Sequence, residues 1–109
     1  LRVTNVTIED AERETLKFLS NHTIKGRSPL CGNTISHDRR FLVRYMPELS
    51  SFFHYRNVDV SSIKEVVKRW HPHLADGYKK QGGHRAMADV IDSIHELKYF
   101  KNNVFIPGP

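Results

Sequence analysis

The chain has 109 residues with 17 Lys and Arg against 12 Asp and Glu, and its formal net charge at pH 7 is +5. Apolar residues make up 39% of the chain, which is enough for a buried core and excludes a chain disordered by composition. No apolar run approaches the roughly 18–20 residues of a membrane span, and no signal segment opens the chain. The lone cysteine excludes an intrachain disulfide framework and favours a reducing compartment, so a cytoplasmic protein is expected.

The basic residues are spread along the chain rather than grouped in one block. A positive net charge favours an anionic partner such as a nucleic acid. Basic side chains on solvated helix faces would give the same net charge, so charge alone leaves both interpretations open.

Alternating helix and strand patterns organise the first half of the chain. Thr7 is expected to cap a helix that ends near Asn21, and Leu30–Gly32 fits a short buried strand. A second helix is predicted from about Asp38 to Tyr45, and Pro47 begins a short helical turn that ends at Phe53.

A second strand is predicted at Arg56–Val60, followed by a helix that ends at Trp70. Ser61 or Ser62 is expected to cap this helix, because Ser62 and the glutamate three residues later fit a capping box. Alternating strands and helices imply parallel strands with helical crossovers. Two short strands are too few for a covered parallel sheet, so neighbouring strands are expected upstream of this chain.

The last part of the chain is predicted to contain a polar loop, residues 71–83, and a helix over residues 85–100. The helical spacing of four apolar residues predicts that one face of this helix is buried. These residues are Met87, Val90, Ile94 and Leu97.

Two stretches carry residues suited to metal-dependent phosphodiester hydrolysis. Asp38 follows the first predicted strand, and His84 lies five positions before Asp89 near the start of the last helix. Carboxylates can hold two divalent ions roughly 3.5–4 Å apart, and a neutral histidine can accept the proton of the attacking water. Each residue also has a plainer interpretation, as a helix first-turn acid or a loop histidine. Such a site normally needs more acids than these two, so the chain is interpreted as part of an enzyme.

Together these segments resemble the oligoribonucleases, which belong to the DEDD superfamily of 3′-to-5′ exonucleases with a histidine in the third motif. The resemblance is densest in Ser28–Asn33, Asp38–Leu42, Tyr45–Leu49, Phe53–Arg56, Asp59–Ser61 and Arg69–Trp70. It implies an α/β, ribonuclease H-like fold with a mixed sheet flanked by helices. Residues 1–109 would be the C-terminal portion of a single exonuclease domain, and its N-terminal strands would be absent from this chain.

The resemblance also implies roles for individual residues. Asp38 and Asp89 would bind two Mg²⁺ or Mn²⁺ ions together with an upstream Asp-x-Glu motif, and His84 would be the general base. The terminal phosphate of the substrate would be contacted by small hydroxyls, an arginine and a tyrosine of the partner subunit. These positions match Thr34, Ser61, Arg56 and Tyr55.

The intact protein is therefore predicted to be a homodimeric 3′-to-5′ exoribonuclease that degrades very short single-stranded RNA to mononucleotides. No membrane partner is expected. This chain alone is expected to be nearly inactive because it lacks two of the four metal-binding acids that the resemblance implies. The alternative is a truncated, non-catalytic module that binds nucleic acid or a protein partner.

Overall fold

The structure is a computed structural model, and it describes residues 6–79 and 86–108. The elements are α1 (Ile8–Ser20), β1 (Leu30–Gly32), α2 (Ile35–Tyr45), α3 (Pro47–Phe52), β2 (Asn57–Asp59), α4 (Val60–Trp70), α5 (Pro72–Ala75) and α6 (Ala86–Asn103). Strands β1 and β2 form a small parallel sheet, which confirms the predicted α/β class. Among the described helices, none has both the length and the apolar character needed to cross a membrane.

The chain divides into two compact units, and each is described separately. Unit 1 comprises Leu1–Leu30 and Ile35–Val58, and unit 2 comprises Cys31–Thr34 and Asp59–Pro109. Unit 1 contains helices α1 to α3, and unit 2 contains helices α4 to α6. The single partial domain expected over residues 1–109 stays a prediction.

In unit 1, helices α1 and α2 both pack against α3. Thr7 caps α1 as expected, because its side chain accepts a hydrogen bond from the Asp10 backbone N–H. The Glu12 carboxylate accepts a hydrogen bond of 2.9 Å from the Leu49 backbone N–H and so joins α1 to the first turn of α3. Leu49 and Phe52 are buried, which places the apolar side of α3 inside unit 1.

In unit 2, helix α4 packs against both α5 and α6. The core of this unit is formed by Val60, Val67, Ala75 and Phe100. Asp59 is the N-cap of α4, and its carboxylate accepts a hydrogen bond of 2.9 Å from the Ser61 backbone N–H. The predicted caps Ser61 and Ser62 are therefore wrong. The helix begins earlier because Val60, its first residue, is fully buried in the core.

The predicted polar loop contains a short helix, α5, in the part of it that the structure describes. Pro72 occupies the first position of α5, where a missing backbone N–H costs nothing. Ala75 is buried and Leu74 packs beside it, so burial of these two apolar side chains favours the packing of α5 against the core. Residues 80–83 of the predicted loop lie outside the described residues.

The predicted buried face of α6 is largely wrong. Met87, Val90 and Ile94 are exposed, and only Leu97 of that face packs against the core. The buried polar residues of α6 are Asp92 and Glu96.

Partners on other elements of unit 2 explain this orientation of α6. Lys64 Nζ of α4 lies 3.7 Å from Glu96 Oε2, and the Tyr78 hydroxyl donates to the Asp92 backbone carbonyl at 3.2 Å and to Asp92 Oδ1 at 3.5 Å. A buried carboxylate is tolerated where a cation or hydrogen-bond donor reaches it. The helix therefore presents an acidic side, not its aliphatic side, to the rest of unit 2. Arg85, the predicted first residue of this helix, lies outside the described residues.

Candidate functional site

The two predicted metal ligands occupy equivalent places in different helices. Asp38 lies in the first turn of α2 and belongs to unit 1, and Asp89 lies in the first turn of α6 and belongs to unit 2. Both side chains are exposed, and within the described residues neither has a hydrogen-bond or ion-pair partner. No described side chain therefore competes with a cation for either carboxylate.

His84, the predicted general base, lies outside the described residues. Across residues 6–79 and 86–108, no three His, Cys, Asp or Glu side chains are grouped as a metal centre would require. The metal prediction therefore rests on Asp38 and Asp89, the predicted ligands that the structure describes.

Thr34 and Ser61, two of the predicted phosphate contacts, lie together in unit 2. The Thr34 backbone N–H donates to Asp59 Oδ1 at 3.0 Å and to Ser61 Oγ at 3.1 Å. The two side-chain hydroxyl oxygens are 3.2 Å apart. Residues separated by 27 positions in the chain thus place two hydroxyls beside each other.

The backbone of Thr34 is strained. Its φ is 51°, and it is the only described residue other than glycine with a positive φ. A β-branched residue rarely adopts this conformation, and such strain costs about 1–3 kcal/mol and persists only where surrounding contacts impose it. Here the contacts are the two acceptors of the Thr34 N–H. Strain of this kind clusters at ligand-binding sites, which favours a functional role for this turn.

Asn33 connects this turn to both flanking helices. Its side-chain oxygen accepts a hydrogen bond of 2.9 Å from Ser61 Oγ on α4, and its amide nitrogen donates one of 2.7 Å to Ser93 Oγ on α6. Ser93 lies about one helical turn after Asp89. We refer to Asn33, Thr34, Asp59, Ser61 and Ser93 as the Asn33 network. The only sequence signals at Asn33 are its position directly before Thr34 and its place in Ser28–Asn33, one of the segments of densest resemblance.

Tyr55 and Arg56, the other predicted phosphate contacts, lie between α3 and β2 in unit 1. The Tyr55 side chain is 74% exposed and stacks on His54, with ring centroids 4.5 Å apart. The Arg56 guanidinium carbon lies 5.3 Å from the centre of the Tyr55 ring. The Arg56 backbone N–H donates a hydrogen bond of 3.1 Å to His54 Nδ1. The segment thus presents a phenol and a guanidinium to solvent side by side.

Cys31 in β1 is exposed, although the strand was expected to be buried. Partial desolvation and the negative charge of Asp59 raise the pKa of the Cys31 thiol. The thiol therefore stays protonated near neutral pH, and it is a weak nucleophile in that form.

Comparison with known proteins gives matches that cover most of the chain. The model of the RNase T family, described as exonuclease, matches residues 4–97. The chain is similar to the oligoribonuclease of Hydrogenovibrio crunogenus, with 56% identity over 102 residues that cover 94% of this chain and 55% of the relative. It is also similar to the oligoribonuclease of Shewanella loihica, with 53% identity over 105 residues covering 96% of this chain and 58% of the relative.

A third relative, the oligoribonuclease of Marinobacter nauticus, is 55% identical over 106 residues, which cover 95% of this chain and 59% of the relative. The chain thus spans a little over half the length of the curated relatives that it matches. All seven predicted site residues fall within the residues that the family model matches.

Proposed function

Because the chain belongs to the RNase T exonuclease family, we propose that the whole protein is a 3′-to-5′ exoribonuclease that hydrolyses very short single-stranded RNA to mononucleotides. The family match over residues 4–97 is the observation that carries this proposal. The relatives named oligoribonuclease support short RNA as the substrate. The same match does not favour the alternative of a non-catalytic binding module.

Asp38 and Asp89 are proposed to hold divalent metal ions, two per site and either Mg²⁺ or Mn²⁺. Exposed carboxylates that have no partner among the residues the structure describes are suitable oxygen ligands for these hard cations. Bound ions would orient the scissile phosphate and neutralise charge on its oxygens. His84 is proposed to take the proton from the attacking water, since a histidine can accept a proton near neutral pH.

The terminal phosphate is proposed to contact Thr34, Ser61, Tyr55 and Arg56. A guanidinium is suited to this role because its planar fork can donate two hydrogen bonds to one phosphate. The Thr34 hydroxyl can donate to a further phosphate oxygen, and the Ser61 hydroxyl can do so in exchange for its hydrogen bond to Asn33 Oδ1. A site that holds both the scissile phosphate and the chain terminus would favour substrates only a few nucleotides long.

The proposed homodimer is supported by an apolar groove in unit 2. This groove has a volume of about 410 Å³ and is lined by Ile63, Val66, Val67, Trp70, His71, Val104 and Phe105. The Trp70 side chain is 74% exposed, and buried aromatic anchors dominate many protein interfaces. Trp70→Glu should therefore convert a dimer to a monomer in light scattering, whereas Val58→Glu, an exposed site in unit 1, should leave the mass unchanged.

A cytoplasmic location belongs to the same proposal, because the single cysteine suits a reducing compartment.

The proposed activity is tested by incubating the whole protein with Mn²⁺ and 5′-phosphorylated RNAs of two to seven nucleotides. Mononucleotides should form fastest from the shortest RNAs. His84→Ala should lower kcat by about 10²–10⁴, the usual contribution of a general base, with little change in substrate affinity. His73→Ala, which changes an exposed side chain of helix α5, is the matched control and should retain full activity.

Absence of hydrolysis by the wild-type protein would contradict the proposal that it is an exoribonuclease. Hydrolysis with an unchanged kcat in His84→Ala would keep the activity and reject the role of His84. The 109-residue chain alone should be nearly inactive, because two acids by themselves place metal ions poorly and misplacement by about 1 Å can cost a factor of about 100.

A further inference from the structure

Arg39 contacts the chain on both sides of Tyr55–Arg56. Its Nη2 donates hydrogen bonds of 2.8 Å to the His54 backbone carbonyl and 2.9 Å to Asn57 Oδ1. Its Nε donates to the same Asn57 oxygen at 3.1 Å, and its Nη1 donates to the Ser50 backbone carbonyl at 3.1 Å. One side chain therefore fixes the residue before the segment, the residue after it and the preceding helix α3. We refer to Arg39, Ser50, His54 and Asn57 as the Arg39 network.

The geometry of this network requires an arginine. Three nitrogens of one planar group reach three acceptors that lie in different directions, and a lysine ammonium cannot span them. The Arg39 guanidinium also lies over the Phe53 ring, 6.0 Å from its centre. Its side chain is half-buried, so the charge is partly withdrawn from water and its hydrogen bonds are strengthened.

The neighbouring arginine is different. Arg40 is exposed, and the side-chain contact that the structure gives it is with His37 Nδ1, at 2.8 Å, within the same helix. Two consecutive arginines on α2 thus have the same chemistry and different surroundings. Only Arg39 reaches the segment that presents Tyr55 and Arg56.

We propose that Arg39 is a positioning residue that fixes Arg56 at a set distance from Asp38 of the same chain and thereby determines the preference for very short substrates. Asp38 and Arg39 are consecutive in the first turns of α2, so one rigid helix carries both a proposed metal ligand and the anchor of a proposed phosphate contact. The distance between the metal ligand Asp38 and the phosphate contact then limits the length of substrate that can reach both at once. This inference rests on the proposed function, and specifically on phosphate binding by Arg56.

The kinetic test compares Arg39→Lys with Arg40→Lys in the whole protein, on 5′-phosphorylated dinucleotides and pentanucleotides. Arg39→Lys keeps the positive charge but loses the planar guanidinium with its several N–H donors. KM for the dinucleotide should therefore rise about tenfold, the factor expected for one lost charge-assisted hydrogen bond. KM for the pentanucleotide should change by less than about threefold, because a longer chain retains other contacts. Arg40→Lys should leave both KM values unchanged.

A purely structural role of Arg39 would give a different result. Thr7→Ala removes the cap of α1 in the same unit and lowers stability without touching the Arg39 network. It should leave the ratio of the two KM values at the wild-type value. Equal effects of Arg39→Lys on both RNA lengths, or the same change of ratio in Thr7→Ala, would overturn the positioning role.

A second measurement does not depend on activity. The Arg56 backbone N–H is bonded to His54 Nδ1, so its hydrogen exchange reports the order of this segment. Exchange at Arg56 should be at least about tenfold faster in Arg39→Lys than in Arg40→Lys. Unchanged exchange would overturn the proposal.

The phosphate contact itself is tested separately with Arg56→Ala. If Arg56→Ala has no length-dependent effect, phosphate binding by this segment is rejected and the length-setting role of Arg39 is rejected with it, while the proposed exoribonuclease activity stands. If Arg56→Ala has that effect and Arg39→Lys does not, the positioning role is rejected and the phosphate contact stands.

Discussion

The Arg39 network of unit 1 and the Asn33 network of unit 2 hold candidate phosphate contacts in different ways. Arg39 donates to backbone carbonyls and to Asn57, and the functional candidates Tyr55 and Arg56 are outside the network. In unit 2 the candidates Thr34 and Ser61 are themselves members of the network. Positioning and contact are therefore carried by different residues in unit 1, whereas in unit 2 Thr34 and Ser61 take part in both.

The largest expected difference between the networks is in stability. Arg39→Ala should lower the free energy of unfolding by roughly 2–4 kcal/mol, because the carbonyls of Ser50 and His54 lose a charged donor and such bonds are worth roughly 1.5–3 kcal/mol each. Urea denaturation followed by circular dichroism measures this change. Arg40→Ala should stay within about 0.5 kcal/mol of wild type. Similar losses in the two variants would show that the Arg39 contacts do not stabilise unit 1.

Asn33→Ala should have a smaller effect, a loss of about 1–2 kcal/mol, because its two hydrogen bonds join neutral groups. Ser93→Ala removes the other end of one of these bonds, so the double variant should lose less than the sum of the single variants. Asn102→Ala, exposed on the same helix α6, serves as the control. Additive losses would mean that Asn33 and Ser93 do not interact in solution.

Thr34→Gly should be more stable than Thr34→Ala, and both variants should weaken phosphate binding. Both lose the hydroxyl that contacts Ser61 Oγ, and only glycine adopts a positive φ without strain, so relief at φ 51° should make the free energy of unfolding about 1 kcal/mol larger in Thr34→Gly than in Thr34→Ala. The lost hydroxyl should at the same time increase Kd for a 5′-phosphorylated dinucleotide. Thr34→Ser keeps the hydroxyl and should bind like the wild type. A lower stability of Thr34→Gly than of Thr34→Ala would contradict the strained turn.

The smallest expected effect is on Cys31, whose thiol reports the charge of Asp59 in the Asn33 network. Burial and Asp59 raise the pKa of this thiol, so Asp59→Asn should lower that pKa and shift alkylation by iodoacetamide to lower pH. The rate of alkylation as a function of pH measures the shift. The same pH profile in both proteins would show that Asp59 does not act on Cys31.

Local signals in the sequence were sufficient for much of the fold. Strand Leu30–Gly32, the Thr7 cap and the end of α4 at Trp70 were all predicted, because each depends on neighbouring residues in the chain. The buried side of α6 was not, because Glu96 is buried through its pairing with Lys64 on another helix. Apolar periodicity cannot reveal such a partner.

The same limit applies to the candidate site. The resemblance selected Thr34 and Ser61, and the structure shows their hydroxyls in contact, while their role in phosphate binding stays a prediction. Nothing in the sequence distinguished Arg39 from the other scattered arginines, since its importance comes from acceptors 11 to 18 positions away. The roles of Asp38, Asp89 and His84 also stay predictions.

The central claim, that this chain binds the terminal phosphate of a short RNA, is tested most directly by a binding cycle. Dissociation constants are measured in Ca²⁺ for dinucleotides with and without a 5′ phosphate, on wild-type protein and Arg56→Ala. Each single change should raise Kd about tenfold or more, since a charge-assisted hydrogen bond is worth roughly 1.5–3 kcal/mol. Both changes together should raise Kd no more than either alone. Increases that multiply would contradict the claim, because Arg56 would then act elsewhere than on the phosphate.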